Sequence, residues 1–171
     1  MKTNIASLES HGISIDEDNL QDMYLTFGID TEEYAICIEN VIEIVTNQKI
    51  ILAPDVPKYI KGVINLRGKV VPLMDVRTRF GLEEKDYDDR TCIIVVEIEG
   101  IPTGLMVDKV QDVIEIPLHQ IESPKYGKDD GVIEGLGKRD ESVTYILSLN
   151  RLLYSDDINM EALKEITGIA A

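Results

Sequence analysis

Aromatic residues are scarce in this chain, which contains no tryptophan and only two phenylalanines. Its core must therefore consist largely of valine, isoleucine and leucine, which are spaced regularly through most of the sequence. β-Branched side chains are stiff at the first torsion angle and pack well on pleated surfaces. This composition predicts a mainly β protein, and a chain of 171 residues can bury a stable core without crosslinks.

Basic residues are also few, because 17 lysines and arginines stand against 32 acids, which gives a formal net charge of −15. A surface of this sign repels phosphate backbones and anionic lipid headgroups, so no nucleic-acid partner and no membrane-surface role are expected. The sequence has no continuous apolar run of about eighteen residues, the length that a membrane-spanning helix requires. Residues 1–10 also lack the apolar centre of a signal peptide. We therefore expect a cytoplasmic protein.

Residues that bind metals or perform catalysis are few and scattered. Cys37 and Cys92 lie in apolar runs without zinc-type spacing, and we interpret both as small core residues, although a disulfide between them stays possible. His11 falls in a polar N-terminal segment and His119 in a proline-flanked loop, where solvated histidines are common. The glycine-containing segments lack the ending of a phosphate-binding loop. We predict no catalytic residue, no metal and no cofactor.

Alternation of apolar and polar residues divides the chain into short strands. We predict a hairpin over residues 22–39, a single helical turn within residues 39–45 and a strand near residues 49–52. Further strands are predicted over residues 92–98, 103–107, 132–136 and 143–149.

A second hairpin is predicted over residues 59–76, where two apolar runs flank Arg67 and Gly68. Gly68 can adopt the positive φ that a tight turn requires. Two short helices are expected to follow strands directly, with Asp75 and Asn150 as their N-caps.

An internal duplication links the two halves of the chain. Residues 36–44 and residues 105–113 match apolar to apolar and acid to acid after a shift of about 69 positions. The two hairpins that end in a capping residue occur later in each half, in the same order. The repeat predicts two similar subdomains of about five short strands each, closed as small barrels that leave no exposed sheet edges.

The segment YIKGVINLRGKVVPLMDVR resembles the central part of CheW-type coupling domains, and its Lys-Gly-x-x-Asn-Leu-Arg-Gly pattern is highly specific. The segments EYAICIENVIEIV, DDRTCIIVVEIEGIPTGLMVDKVQDVIEI and ILSLNRLL resemble other parts of the same domain. The resemblance covers residues 21–155. We expect a flexible tail over residues 1–20 and a C-terminal helix over residues 156–171.

This resemblance implies two intertwined five-stranded barrels similar to Src-homology-3 folds, with a few short helices. It also implies a non-catalytic adaptor that couples methyl-accepting chemoreceptors to the histidine kinase CheA in bacterial chemotaxis. Such adaptors bind the regulatory domain of the kinase and the cytoplasmic tip of the receptor.

The resemblance also implies two adjoining binding surfaces. The kinase-binding residues it implies are Ile38, Val41, Glu43 and Ile44. The receptor-binding residues it implies are Gly62, Arg67, Cys92, Val110 and Val113.

Each of these residues also has a purely structural interpretation. Arg67 could be a solubilising turn residue, and Gly62 could serve a bulge or a close approach of two backbones. The valines and Ile44 could equally be core residues. Glu43, between apolar neighbours, is expected to face outward and is the favoured contact residue of the first set.

An alternative function is a small-ligand-binding or enzymatic β-barrel. It predicts a deep apolar pocket with convergent polar groups and a titratable residue of shifted pKa.

Overall fold

The computed structural model describes residues 8, 10, 12, 20–86, 88, 90–125 and 131–154. Within these residues the chain forms eleven β-strands and two short α-helices. The strands are β1 (Met23–Ile29), β2 (Glu32–Cys37), β3 (Val41–Val45), β4 (Ile60–Leu66), β5 (Lys69–Asp75), β6 (Cys92–Ile98), β7 (Ile101–Val107), β8 (Lys109–Glu115), β9 (Ile121–Glu122), β10 (Ile133–Arg139) and β11 (Ser142–Leu147). The α-helices are α1 (Val76–Arg79) and α2 (Leu149–Leu153), and 3₁₀ turns cover Ile38–Asn40 and Leu118–Gln120.

The strands form two sheets, which confirms the predicted mainly β fold with two subdomains. A six-stranded sheet has the order β8-β1-β2-β11-β10-β9, and a five-stranded sheet has the order β3-β6-β7-β5-β4. β2 pairs with β11 and β5 with β7 in parallel, whereas the other strand pairs are antiparallel. The first sheet has six strands because the two-residue β9 adds to its edge.

The chain passes between the two sheets twice, which makes the subdomains intertwined. It leaves the six-stranded sheet after β2, builds the whole five-stranded sheet, and returns to the first sheet at β8. The repeated sequence segments are these two crossings, since residues 36–44 lead from β2 to β3 and residues 105–113 lead from β7 to β8. In each subdomain a hairpin, β4–β5 or β10–β11, then runs directly into a short helix.

Three local predictions about secondary structure were wrong. The helical turn lies at Ile38–Asn40, and Val41–Val45 is a strand, because its residues pair with β6 instead of closing a helical turn. The region near Ile51 makes only an isolated bridge to Val63. Ser148, not Asn150, caps helix α2, because the Ser148 hydroxyl accepts the backbone N–H of Arg151 at 3.4 Å. The predicted cap at Asp75 is confirmed, since its carboxylate accepts the backbone N–H of Arg77 at 3.0 Å.

Buried apolar residues form one large cluster and two small ones. The large cluster draws residues from both sheets, including Phe27 and Leu25 of β1 and Ile94 of β6. One small cluster belongs to the five-stranded sheet and the other to the six-stranded sheet. Leu8 is fully buried in the large cluster. Most of the predicted tail over residues 1–20 and the whole C-terminal helix over residues 156–171 lie outside the described residues.

Candidate functional site

The hairpin β4–β5 presents Arg67 at its tip. Leu66 pairs with Lys69, so Arg67 and Gly68 form a two-residue turn, and their φ angles of 51° and 85° are those of a type I′ turn. Asn65 supports the turn, because its side-chain oxygen accepts the backbone N–H of Gly68 at 2.9 Å. The Arg67 side chain is 68% exposed and is thus held outward on a rigid loop.

Glu43 of β3 lies next to this turn and forms an ion pair with Arg67, whose Nη2 donates to the Glu43 Oε1. The side chain of Glu43 is only 5% exposed, so the prediction that it faces outward was wrong. A β-bulge in the pairing of β3 with β6 lies between Val41 and Glu43 and shifts the alternation of inward and outward residues. The structure therefore joins Glu43 and Arg67, which were predicted to belong to separate surfaces.

An open groove surrounds this ion pair at one end of the five-stranded barrel. Its volume is about 650 Å³, and its walls come from β3, the β4–β5 turn, β6 and β7. The lining residues are Ile42, Glu43, Leu66, Arg67, Gly68, Lys69, Val70, Val71, Val95, Glu97, Gly100 and Pro102. A second groove shares Ile42, Glu97 and Gly100 with the first and adds Glu39, Asn40, Val41 and Glu99. Apolar walls edged by charges suit recognition of a protein surface.

Gly62 has a structural role, which agrees with the backbone alternative considered above. It is buried in a bulge of β4 with a φ of 145°. A Cβ atom there would overlap the Ile51 carbonyl oxygen and lie 2.9 Å from the carbonyl carbon. The backbone at Ile51 lies this close because it is joined to the neighbouring residue Val63 by two backbone hydrogen bonds. The fold itself therefore requires glycine at this position.

The apolar candidates of both predicted surfaces lie mostly in the large core cluster. Its fully or nearly fully buried members are Ile38, Val41, Ile44, Cys92 and Val113. Val110 of β8 is half-buried against the same cluster. These residues therefore lie behind the predicted surfaces, and Arg67 is the one predicted site residue with a largely exposed side chain.

The cysteines are free thiols, and Cys92 is a core residue as predicted, whereas Cys37 is half-buried. Burial raises the pKa of both thiols above its ordinary value, which leaves them protonated and unreactive near neutral pH. Within the part of the chain that the structure describes, no three His, Cys, Asp or Glu residues are grouped as metal ligands.

Sequence reasoning missed Glu97, which lines both grooves. The signal was present in β6, where an acid follows Ile93 and Val95 at a spacing of two and so continues an inward-facing row. Glu97 was overlooked because acids near a turn, here Glu99 and Gly100, are ordinarily solvated.

Comparison with known proteins places the chain in one family. Residues 23–157 match the family model described as CheW-like domain. The chemotaxis protein CheW of Bacillus subtilis (strain 168) is 39% identical over 132 residues, which are 75% of this chain and 85% of that protein. The corresponding protein of Helicobacter pylori is 33% identical over 151 residues, 86% of this chain and 92% of that protein.

A solved structure agrees with these relatives. The crystal structure of the scaffolding protein TtCheW from Thermoanaerobacter tengcongensis superposes with a TM-score of 0.75 at 34% sequence identity, covering 82% of this chain and 97% of that one. None of the helices in the described ranges has the length and apolar character needed to cross a bilayer. The chain thus belongs to the CheW-like family of non-catalytic chemotaxis scaffold proteins.

Proposed function

We propose that this chain is a cytoplasmic adaptor that couples methyl-accepting chemoreceptors to the histidine kinase CheA. It binds the regulatory domain of the kinase and the cytoplasmic tip of a receptor at the same time. Holding both partners on one rigid body raises the effective concentration of kinase near receptor without any chemical step.

The ion pair between Glu43 and Arg67 is the observation that carries this proposal. The family resemblance assigns Glu43 to the kinase surface and Arg67 to the receptor surface, and the two side chains are in direct contact. A guanidinium held on a rigid turn is a good interface anchor, because it is planar, rich in donors and loses little freedom on binding. Each partner therefore docks next to the same ion pair.

The buried candidates have an indirect role in this proposal. Ile38, Val41 and Ile44 fix strand β3 and its 3₁₀ turn against the core, and so position Glu43. Cys92 and Val113 belong to the same cluster, with Val110 packed on its edge. Changes at these positions are expected to affect binding by moving the surface residues.

The test measures receptor control of the kinase in a reconstituted mixture of receptor, kinase and adaptor. Both Arg67→His and Glu43→Ala should still fold, although Arg67→His leaves the buried Glu43 carboxylate without its partner and so lowers stability. Both should weaken partner binding by roughly tenfold or more, because an interface anchor is lost. Arg139→Ala, which removes an exposed arginine beside the turn of hairpin β10–β11 in the other sheet, is the matched control and should keep wild-type control. Full receptor control of the kinase by both folded variants would show that the ion pair is not part of the binding surfaces.

A further inference from the structure

Glu97 occupies a position that a barrel normally gives to an apolar residue. Along β6, Ile93 and Val95 point into the small cluster of the five-stranded barrel, while Ile94 and Val96 join the large cluster on the other face. Alternation along the strand puts Glu97 on the same side as Ile93 and Val95. Its carboxylate therefore lies at the open end of the barrel interior.

The carboxylate of Glu97 is not fully satisfied. Its Oε2 atom is buried, and no hydrogen-bond donor among the described residues reaches it. A buried carboxylate oxygen without a donor is costly, so such atoms require an explanation. Arg67, the arginine of the groove lining, is already paired with Glu43.

The surrounding groove has an excess of negative charge. The acids that line the two adjoining grooves are Glu39, Glu43, Glu97 and Glu99. The cations are Arg67, which is paired, and Lys69 at the exposed turn. Apolar side chains next to Glu97 include Ile42, Val95 and Pro102. A group that complements this surface carries a positive charge on an apolar stem, and lysine and arginine side chains have this chemistry.

The other subdomain shows how the equivalent place is covered. In the six-stranded sheet Phe27 of β1 pairs with Val110 of β8, and in the five-stranded sheet Val96 of β6 pairs with Val41 of β3. In both strand pairs a bulge lies directly next to this residue pair, so the two pairs correspond. Gly28, one residue beyond Phe27, therefore corresponds to Glu97. A Cβ atom at Gly28 would lie 2.8 Å from the Lys109 Cε and 3.1 Å from its Cγ, so a lysine stem covers this strand position.

The five-stranded barrel has no such lysine of its own. The residue that corresponds to Lys109, one position before β3, is Asn40, which lines the groove beside Glu97. In the five-stranded barrel the short side chain of Asn40 therefore stands in the place of the long Lys109 side chain, and Glu97 stands in the place of Gly28. The place that one subdomain fills with its own lysine is thus open and acidic in the other.

We infer that Glu97 is a specificity-determining contact that receives a lysine or arginine side chain of the histidine kinase docked in this groove. The cation donates to the buried Glu97 oxygen, while its stem lies against the apolar wall formed by Ile42, Val95 and Pro102. This inference rests on the proposed function. The kinase is the expected occupant because Glu43 and Val41, two residues of its proposed surface, line the two grooves.

The first experiment is titration calorimetry of the full chain with the CheA kinase of the same genome, at low and high salt. Glu97→Gln should bind the kinase about tenfold more weakly and with a smaller salt dependence, because a charge-assisted contact is lost. Glu141→Gln removes an equal charge at an exposed turn of the other sheet and should bind like the wild type. Equal affinity and equal salt dependence of Glu97→Gln and wild type would overturn the inference.

The second experiment separates a contact from a structural role by measuring the stability of the free adaptor. Glu97→Leu continues the inward apolar row, so it should leave the thermal midpoint unchanged or raise it while it weakens kinase binding. A fall in the midpoint that accompanies the loss of binding would assign Glu97 to folding and overturn the inference. Wild-type protein that fails to bind the kinase would overturn the proposed function, whereas an effect-free Glu97→Gln overturns only the inference.

Discussion

At the scale of single residues, the two glycines of hairpin β4–β5 have the same sequence signal but different surroundings. Gly62 and Gly68 both have positive φ, of 145° and 85°. No atom lies within 4 Å of the place where a Cβ of Gly68 would stand, whereas a Cβ of Gly62 would strike the backbone at Ile51. Only Gly62 is required by a close approach of two chain segments.

Gly62→Ala and Gly68→Ala should therefore differ in stability. We expect Gly68→Ala to lower the free energy of unfolding by about 1 kcal/mol, the cost of a left-handed alanine. Gly62→Ala should lower it by more than about 3 kcal/mol, because strain adds to a backbone overlap that no rotamer relieves. Urea denaturation of both variants checks this order, and equal losses would contradict it.

The buried cap Asp75 gives a pH dependence of known sign. Burial raises the pKa of this carboxyl above its ordinary value, and Lys61, with its Nζ 3.7 Å from the Asp75 Oδ2, offsets part of the rise. The folded state therefore binds a proton more tightly than the unfolded state. Between the two pKa values this term destabilises the fold as the pH rises and stabilises it as the pH falls.

Asp75→Asn removes this titration while keeping a side-chain oxygen that can cap the helix. As the pH is lowered from 7 toward the acid range, the wild type should gain stability relative to Asp75→Asn. Unfolding free energies of both proteins at a series of pH values measure the difference. If acidification instead made the wild type less stable relative to Asp75→Asn, the pKa of Asp75 would have to be lowered in the folded state.

At the scale of elements, each subdomain has a hairpin that runs directly into a helix, and the end of the hairpin determines which residue is the N-cap of that helix. Asp75, the last residue of β5, and Ser148, the residue after β11, each directly precede a helix, with extended backbone and an acceptor for a helix N–H. Asn150 lies one residue inside α2 because strand β11 ends at Leu147, earlier than the sequence pattern predicts. The sequence thus correctly predicted a polar N-cap for this helix but placed it two residues too late in the chain.

Substitution at these positions distinguishes the two assignments of the cap. Ser148→Ala should lower the free energy of unfolding by about 1 kcal/mol, because the N–H of Arg151 loses its acceptor. Asn150→Ala, at an exposed position within the helix, should cost nothing or be slightly favourable, since alanine is the better helix former. Thermal unfolding gives both values, and a larger loss for Asn150→Ala would restore the original prediction.

At the scale of the whole molecule, one arginine ties the two subdomains together. Arg77 of α1, which follows the five-stranded sheet, bonds through Nη1 to the Asp108 Oδ2 at 2.7 Å. Asp108 stands between β7 and β8 and also accepts the backbone N–H of Asp30, in the β1–β2 turn, at 2.8 Å. The Arg77 and Asp108 side chains are each only 13% exposed, so water screens this link weakly.

Arg77→Ala should lower the free energy of unfolding by about 3 kcal/mol, because it leaves a largely buried carboxylate without its partner. Lys85→Ala is the matched control, since it removes an ion pair with Asp88 in which both side chains are about half exposed. That change should leave the free energy of unfolding unchanged, because water screens an exposed ion pair. Chemical denaturation measures both, and similar small losses would show that the Arg77–Asp108 ion pair does not hold the subdomains together.

The sequence alone determined the features that depend on neighbouring residues. The β class, the duplication, the Arg67-Gly68 turn and the cap at Asp75 all follow from local preferences, namely side-chain alternation, positive φ and capping. The family resemblance rests on the same local patterns.

Only the tertiary structure decided the environments of Glu43 and Glu97. Arg67 lies 24 residues beyond Glu43, and the bulge that turns Glu43 inward exists only in the pairing of β3 with β6. The groove at Glu97 likewise forms where four separate parts of the chain meet. Burial and ion pairing depend on which distant residues share a site, and a single sequence read along its length does not contain that information.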